Sequence, residues 1–209
     1  MKEEILINVT PREVRVALVD NGVLQEMLVE RASRRGLLGN IYMGRIQRVL
    51  PGMQAAFVDV GLSRTAFLHA SNIHTGVAAE SGESDIRKLV HEGQKLLVQV
   101  EKEPMGDKGA RLTTFVTIPS RYLVLMPGGA SNGISSRIDD EAERQRLRKV
   151  LDTISNEEPQ NGFIVRTAAE GASESTLRDD ARFLQKLWAI VIERAAAAKP
   201  GELVHEDLP

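Results

Sequence analysis

The 209 residues contain no cysteine. No disulfide or thiolate metal site can form within them, and the composition suits a reducing cytoplasm. Apolar runs such as Leu187 to Ile192 stop far short of the roughly 20 residues that span a bilayer. No basic start followed by an apolar stretch and a small-residue cleavage site marks the chain for export, and no membrane partner is expected. Aromatic residues are scarce, at five Phe, two Tyr and one Trp. His69, His74, His91 and His205 share no metal-ligand spacing, there is no glycine-rich phosphate loop, and no nucleophile–base pair can be named. No metal site is therefore expected within these residues.

What is present fits a folded protein: 42% hydrophobic and 27% charged residues, without long polar or proline-rich tracts. A formal net charge of −2 does not by itself point to a polyanion, but the charge is uneven. Residues 39–73 carry Arg45, Arg48 and Arg64 against the single Asp59, whereas residues 139–158 carry seven acids against four bases. Local patches of this kind can steer a polyanion when the total cannot.

The first 30 residues alternate as "EILINV", "EVRVALVD" and "VLQEMLVE", the last two joined by Asn21-Gly22. They predict a three-stranded meander, too small to be stable without cover. After the basic break "ASRRGLLGN", short strands are predicted over 40–50, 54–60, 65–70, 95–102 and 110–117, with a loose loop over 74–84. Five such strands fit a small closed barrel of the OB type. Beyond residue 118 the texture is mixed. "RYLVLMP" and "GFIVRT" read as strands, and 139–155 as a helix with Leu147, Val150, Leu151 and Ile154 on one side. Ser173 opens a long helix to about 198. Asp139-Asp140 read as helix-start acids that complement the dipole. "ELVHEDLP" begins a further strand, which reads as a chain cut short.

Alternation assigns faces within the barrel. In "AAFVDV" and "TAFLHA" it puts Ala56, Val58, Val60, Ala66, Leu68 and Ala70 inward. Ala55, Phe57, Asp59, Thr65, Phe67 and His69 then face outward. A three-residue turn at Gly61-Leu62-Ser63 would set Phe57 directly across from Phe67. Two adjacent outward rings near Arg45, Arg48 and Arg64 are either a stacking platform for nucleic-acid bases or rings packed beneath a neighbouring element.

The stretch "GNIYMGRIQRVLPGMQAAFVDVGLSRTAFLHASNI" resembles the S1-type RNA-binding domain of the ribonuclease E/G family. The likeness continues through "NVTP", "GDKGARLTT", "PSRYLVLMPG", "FIVRTAAEG" and "HEDLP", with wording closer to the ribonuclease G-type members. The resemblance implies an α+β, multi-subdomain fold. Residues 1–36 would be the first part of an RNase H-like subdomain, a partial β-meander, and 37–116 an inserted S1-type OB-fold barrel. Residues 117–200 would be a mixed α/β 5′-sensor subdomain, and 201–209 the start of the returning RNase H-like strand.

The function so implied is the RNA-recognition half of a single-strand-specific endoribonuclease, active in rRNA 5′-end maturation and mRNA decay. It would prefer AU-rich RNA bearing a 5′-monophosphate. Magnesium would serve the full-length enzyme, held by aspartates of a later DNase I-like subdomain, so these residues alone are expected to bind no magnesium and to cut nothing. Single-stranded RNA, as rRNA precursors and mRNA, would be the partner, with the full-length protein a homo-oligomer. The alternative is a non-catalytic RNA-binding module or scaffold. The family's RNA-contacting residues fall on Phe57, Phe67 and Lys108. Its 5′-phosphate residues fall on Arg166, Thr167 and, through the backbone, Val124. One departure stands out: ribonuclease E-type members carry arginine where this chain has Ser136, with Arg137 next to it.

Overall fold

The computed structural model of the chain describes residues 3–31, 36–74, 85–129, 132–157 and 160–207. Apart from His74, the loop expected over 74–84 lies outside them. The chain divides into two compact units, residues 1–37 and 38–209.

In the first unit Glu3–Val9 (β1), Glu13–Asp20 (β2) and Val23–Arg31 (β3) form an antiparallel meander. Asp20 pairs directly with Val23 across Asn21-Gly22, whose φ angles are 48° and 80°. Two consecutive positive angles match the right-handed twist of the flanking strands, which is why Asn-Gly is favoured there. Ile5, Leu6 and Ile7 are 65%, 57% and 65% exposed, so within this unit neither face of β1 is covered.

The second unit opens with Ile41–Leu50 (β4), Ala55–Asp59 (β5), Ala66–His69 (β6), Lys95–Lys102 (β7) and Arg111–Thr113 (β8). Their spatial order is β4-β5-β6-β8-β7, and β7 pairs back onto β4, closing the expected five-stranded barrel. Only β6 and β8 run parallel. Ile46, Ala56, Val58, Ala66, Leu68, Val98, Val100 and Leu112 are buried. The strand expected over 110–117 is shorter because the chain bends after Thr113. There Phe115 N–H donates to the Thr113 hydroxyl and Val116 N–H to the Thr114 carbonyl, which takes the backbone out of the ladder. A short helix, Ile86–Leu89 (α1), starts at Asp85, whose carboxylate accepts from Arg87 N–H.

Beyond the barrel, Ile118–Pro119 (β9), Leu123–Pro127 (β10), Gly133–Ile134 (β11) and Asn161–Val165 (β12) form a second sheet in the order β11-β12-β10-β9. Glu141–Glu157 (α2) starts after Asp140, whose side chain accepts from Ala142 N–H, and Glu174–Ala197 (α3) is capped by Ser173. The predicted stripe Leu147, Val150, Leu151 and Ile154 is buried, as are Leu177, Ala181, Leu184 and Val191 of α3. These side chains share one core with Leu123, Leu125, Phe163 and Val165 of the sheet and with Ile41 of the barrel. Leu203–His205 (β13) is the strand expected to begin at "ELVHEDLP", and within this unit it pairs with β4. The reason is an open edge. β5 pairs with β4 only from Arg45 onward, which leaves Ile41 to Met43 free to take β13. No helix among the described residues is long and apolar enough to cross a membrane.

Candidate nucleic-acid interface

Strands β5 and β6 have a strict inside and outside. Ala56, Val58, Ala66 and Leu68 are fully buried, whereas Phe57 and Phe67 are half-buried on the opposite face. Phe57 pairs with Phe67 in register, and the rings meet edge to face with centroids 6.3 Å apart at 69°. That geometry sets the positive edge of one ring against the negative face of the other. His69 continues the line, its ring 6.5 Å from Phe67 and tilted by 31°. Its Nδ1 accepts from Ser71 N–H, an arrangement that holds the ring in place at the end of β6.

The register expected from a three-residue turn is present, but the turn is longer. Pairing stops at Val58–Ala66, because Gly61 N–H donates to the Asp59 carboxylate and leaves the ladder. Ala55, expected outside, is fully buried at the strand end.

The cations expected around the rings behave differently from one another. Arg64 turns away, donating to the Gly106 carbonyl and lying 3.9 Å from Asp107. Arg45 lies 4.0 Å from Asp59. Arg48 is the cross-strand partner of Phe57 and makes no ion pair among the described residues. Lys108 sits in the loop after β7, where it bridges to Met105. The next residue shows why this loop lies beside the rings. A Cβ on Gly109 would stand 1.9 Å from the Thr65 carbonyl oxygen, so only glycine lets the backbones meet. Phe67 N–H then donates to the Ala110 carbonyl at 2.8 Å.

The second group of residues lies at one end of the β11-β12-β10-β9 sheet. Arg166 and Thr167 follow β12. Arg166 N–H donates to the Tyr122 carbonyl at 2.8 Å, and its guanidinium donates to the Ser120 carbonyl. The Thr167 hydroxyl lies 3.1 Å from that of Ser135, just past β11. Val124 is half-buried on β10, paired with Ile164 on one side and Pro119 on the other. Ser136 and Arg137 form an exposed turn, and Arg137 N–H donates to the Ser135 hydroxyl. One arm of the Arg166 fork is thus committed to the Ser120 carbonyl on the β9 side of the sheet, the Thr167 hydroxyl is tied to Ser135 on the β11 side, and both residues are exposed.

Three side chains that the sequence does not single out hold this rim. Asp180 of α3 accepts from the Ser120 hydroxyl and from Tyr122 and Leu123 N–H, fixing the turn that carries the Arg166 acceptor. Arg144 of α2 donates to the Ser135 and Ile138 carbonyls at 2.9 and 3.1 Å, clasping the 135–138 turn. Glu143 accepts from Gly171 N–H at 2.9 Å, tying α2 to the loop that follows Thr167.

The Arg146 guanidinium beside Glu143, with the Gly171 N–H, holds the Glu143 carboxyl at about 2, below its ordinary 4.5. A depressed folded-state value stabilises the fold above the unfolded value and is lost as pH falls through that range. The melting temperature of the wild type should therefore exceed that of Glu143→Gln at pH 6, with the gap closing as pH falls from about 4.5 toward 2. A gap that stays constant over that range would show that the carboxylate does not carry this contact.

Among the described residues no three His, Asp or Glu side chains converge to hold a metal ion. Those residues thus offer no carboxylate set for the magnesium that the resemblance implies for the full-length enzyme, and no step is assigned to it.

Residues 38–115 match the S1 RNA binding domain, and residues 117–209 match the Ribonuclease E/G family. The chain is 55% identical over 201 residues to ribonuclease G of Escherichia coli K12, a match covering 93% of the chain and 41% of that relative. It is 54% identical over 198 residues to ribonuclease G of Haemophilus influenzae, covering 91% of the chain and 40% of the relative. Against ribonuclease E of Escherichia coli K12 it is 38% identical over 212 residues, 98% of the chain and 20% of the relative. The chain thus spans about two fifths of the length of the ribonuclease G relatives.

Proposed function

Because the chain belongs to the ribonuclease E/G family, we propose that it is the RNA-recognition part of a single-strand-specific endoribonuclease of the ribonuclease G type. The observation that carries this reading is the in-register Phe57–Phe67 pair on the outside of an S1 barrel. Two rings on a half-exposed surface offer stacking to unpaired bases, which a duplex keeps to itself. Lys108, on the loop that glycine lets approach β6, supplies a cation near the rings.

The 5′ end of the RNA is gripped at the second rim. The free part of the Arg166 fork and the Thr167 hydroxyl suit a terminal phosphate, with Val124 contributing backbone. Arg137, one residue from Ser136, supplies a further cation on that rim. The whole protein matures rRNA 5′ ends and decays mRNA in the cytoplasm as a homo-oligomer, favouring AU-rich strands. It does so with magnesium held outside these residues. What supports these finer points is the likeness to ribonuclease G over 93% of the chain. The 209 residues alone bind RNA without cutting it.

Fluorescence anisotropy with one labelled AU-rich oligomer, bearing either a 5′-monophosphate or a 5′-hydroxyl, tests the reading. The monophosphate form should bind about tenfold tighter or more, since charge-assisted hydrogen bonds contribute roughly 1.5–3 kcal/mol. Arg166→Ala should erase the preference and leave affinity for the hydroxyl form intact. Equal loss for both forms would make Arg166 a structural residue, and equal binding by the wild type would remove the sensor assignment.

A further inference from the structure

Two β-bulges in the barrel wall have a common result. In β4 the pairing with β5 shifts between Ile46 and Arg48: Ile46 partners Val58, but Arg48 partners Phe57. Without the extra residue Gln47, simple alternation would turn Arg48 to the same face as buried Ile46. In β7 the pairing with β8 shifts between Val100 and Lys102: Val100 partners Leu112, but Lys102 partners Arg111. Here Glu101 is the extra residue, and alternation alone would point Lys102 inward with buried Val98 and Val100. A bulge re-aims the side chains that follow it. Both of these bring a cation onto the ring-bearing face.

The register then places five side chains from five strands in one row. Arg48 partners Phe57, Phe57 partners Phe67, Phe67 partners Arg111, and Arg111 partners Lys102. Neighbouring members are about one strand spacing apart, roughly 4.8 Å. The order is cation, ring, ring, cation, cation. Arg48 and Lys102 are exposed and make no ion pair among the described residues. Arg111 is held from behind. Its Nε lies 3.1 Å from a Glu101 oxygen that also accepts from Asn72 at 2.8 Å, and the Nε–H is buried without a hydrogen bond. Glu101, the bulge residue itself, therefore orients the guanidinium, whose outer nitrogens make no hydrogen bond among the described residues.

We propose that this row is a track along which single-stranded RNA crosses the barrel strands. Two bases stack on Phe57 and Phe67, and the phosphates on either side pair with Arg48 at one end and with Arg111 and Lys102 at the other. The proposal rests on the RNA-binding reading above and adds where the backbone runs. Rings and cations then make separable contributions, because stacking carries no counterion release and phosphate pairing does.

The test is the salt dependence of binding to a labelled AU-rich single strand, measured on the 209-residue protein. Each of Arg48→Gln, Arg111→Gln and Lys102→Gln should flatten the slope of log affinity against log salt by about 0.7, and the triple variant by about 2. Phe57→Ala with Phe67→Ala should lower affinity at every salt concentration and leave the slope unchanged. If the ring variants lose binding while the three cation variants keep the wild-type slope, the track is wrong and the RNA-binding reading stands. If the wild type binds no single strand, both fall.

Discussion

Alanine at both Phe57 and Phe67 is expected to weaken single-stranded RNA binding by on the order of 2–6 kcal/mol, since each base–ring stack is worth roughly 1–3 kcal/mol. The fold should survive the change. The barrel interior is built from Ala56, Val58, Ala66 and Leu68, all fully buried, and neither ring belongs to it. What the free protein loses is the edge-to-face contact between the rings, roughly 0.5–1.5 kcal/mol. Anisotropy titration beside a thermal melt separates the two quantities. Full RNA affinity in the double variant would mean that the rings only pack against one another.

A second large effect is expected at Asp180, whose carboxylate accepts from one hydroxyl and two backbone N–H groups of residues 120–123. Asp180→Ala leaves those donors without their acceptor, at a cost on the order of 2–4 kcal/mol in urea denaturation. Asp180→Asn keeps one acceptor oxygen and should cost less. The turn released is the one whose Ser120 carbonyl holds the Arg166 guanidinium. The proposed preference for a 5′-monophosphate should therefore fall along with stability, while affinity for a 5′-hydroxyl strand should be retained by the barrel. An Asp180→Ala protein of wild-type stability would show that this carboxylate is a surface group.

The parts of the molecule legible from sequence are those where one local rule decides the outcome. Asn21-Gly22 dictates its hairpin because few residue pairs take two positive φ angles. Phe57 and Phe67 lie across from one another because period-two alternation runs unbroken through both short strands, and the face of the rings follows from that. The α2 stripe was legible for the same reason at period 3.6. Alternation fails where a bulge resets the parity, so carried through β4 and β7 it would turn Arg48 and Lys102 inward. It also places Ala55 outside, although the strand end there is covered. Sequence proximity puts Arg64 with the rings, but a carbonyl 42 residues away takes its guanidinium. Asp180 gave no signal, because an acid on a helix reads as solvated and its partners lie 57 to 60 residues earlier. Register slips and long-range side-chain bonds are tertiary facts, and spacing along the chain does not carry them.

The central claim is that single-stranded RNA lies on the outer face of the barrel, over the two rings. Amide and aromatic NMR shifts of the 209-residue protein, followed as an AU-rich single strand is added, test it most directly. The largest shifts should gather on Phe57, Phe67 and His69 and on the flanking Arg48 and Arg111, with the buried side of β5 and β6 unmoved. A duplex of the same sequence should move them far less. Shifts that gather elsewhere and leave Phe57 and Phe67 unchanged would contradict the account.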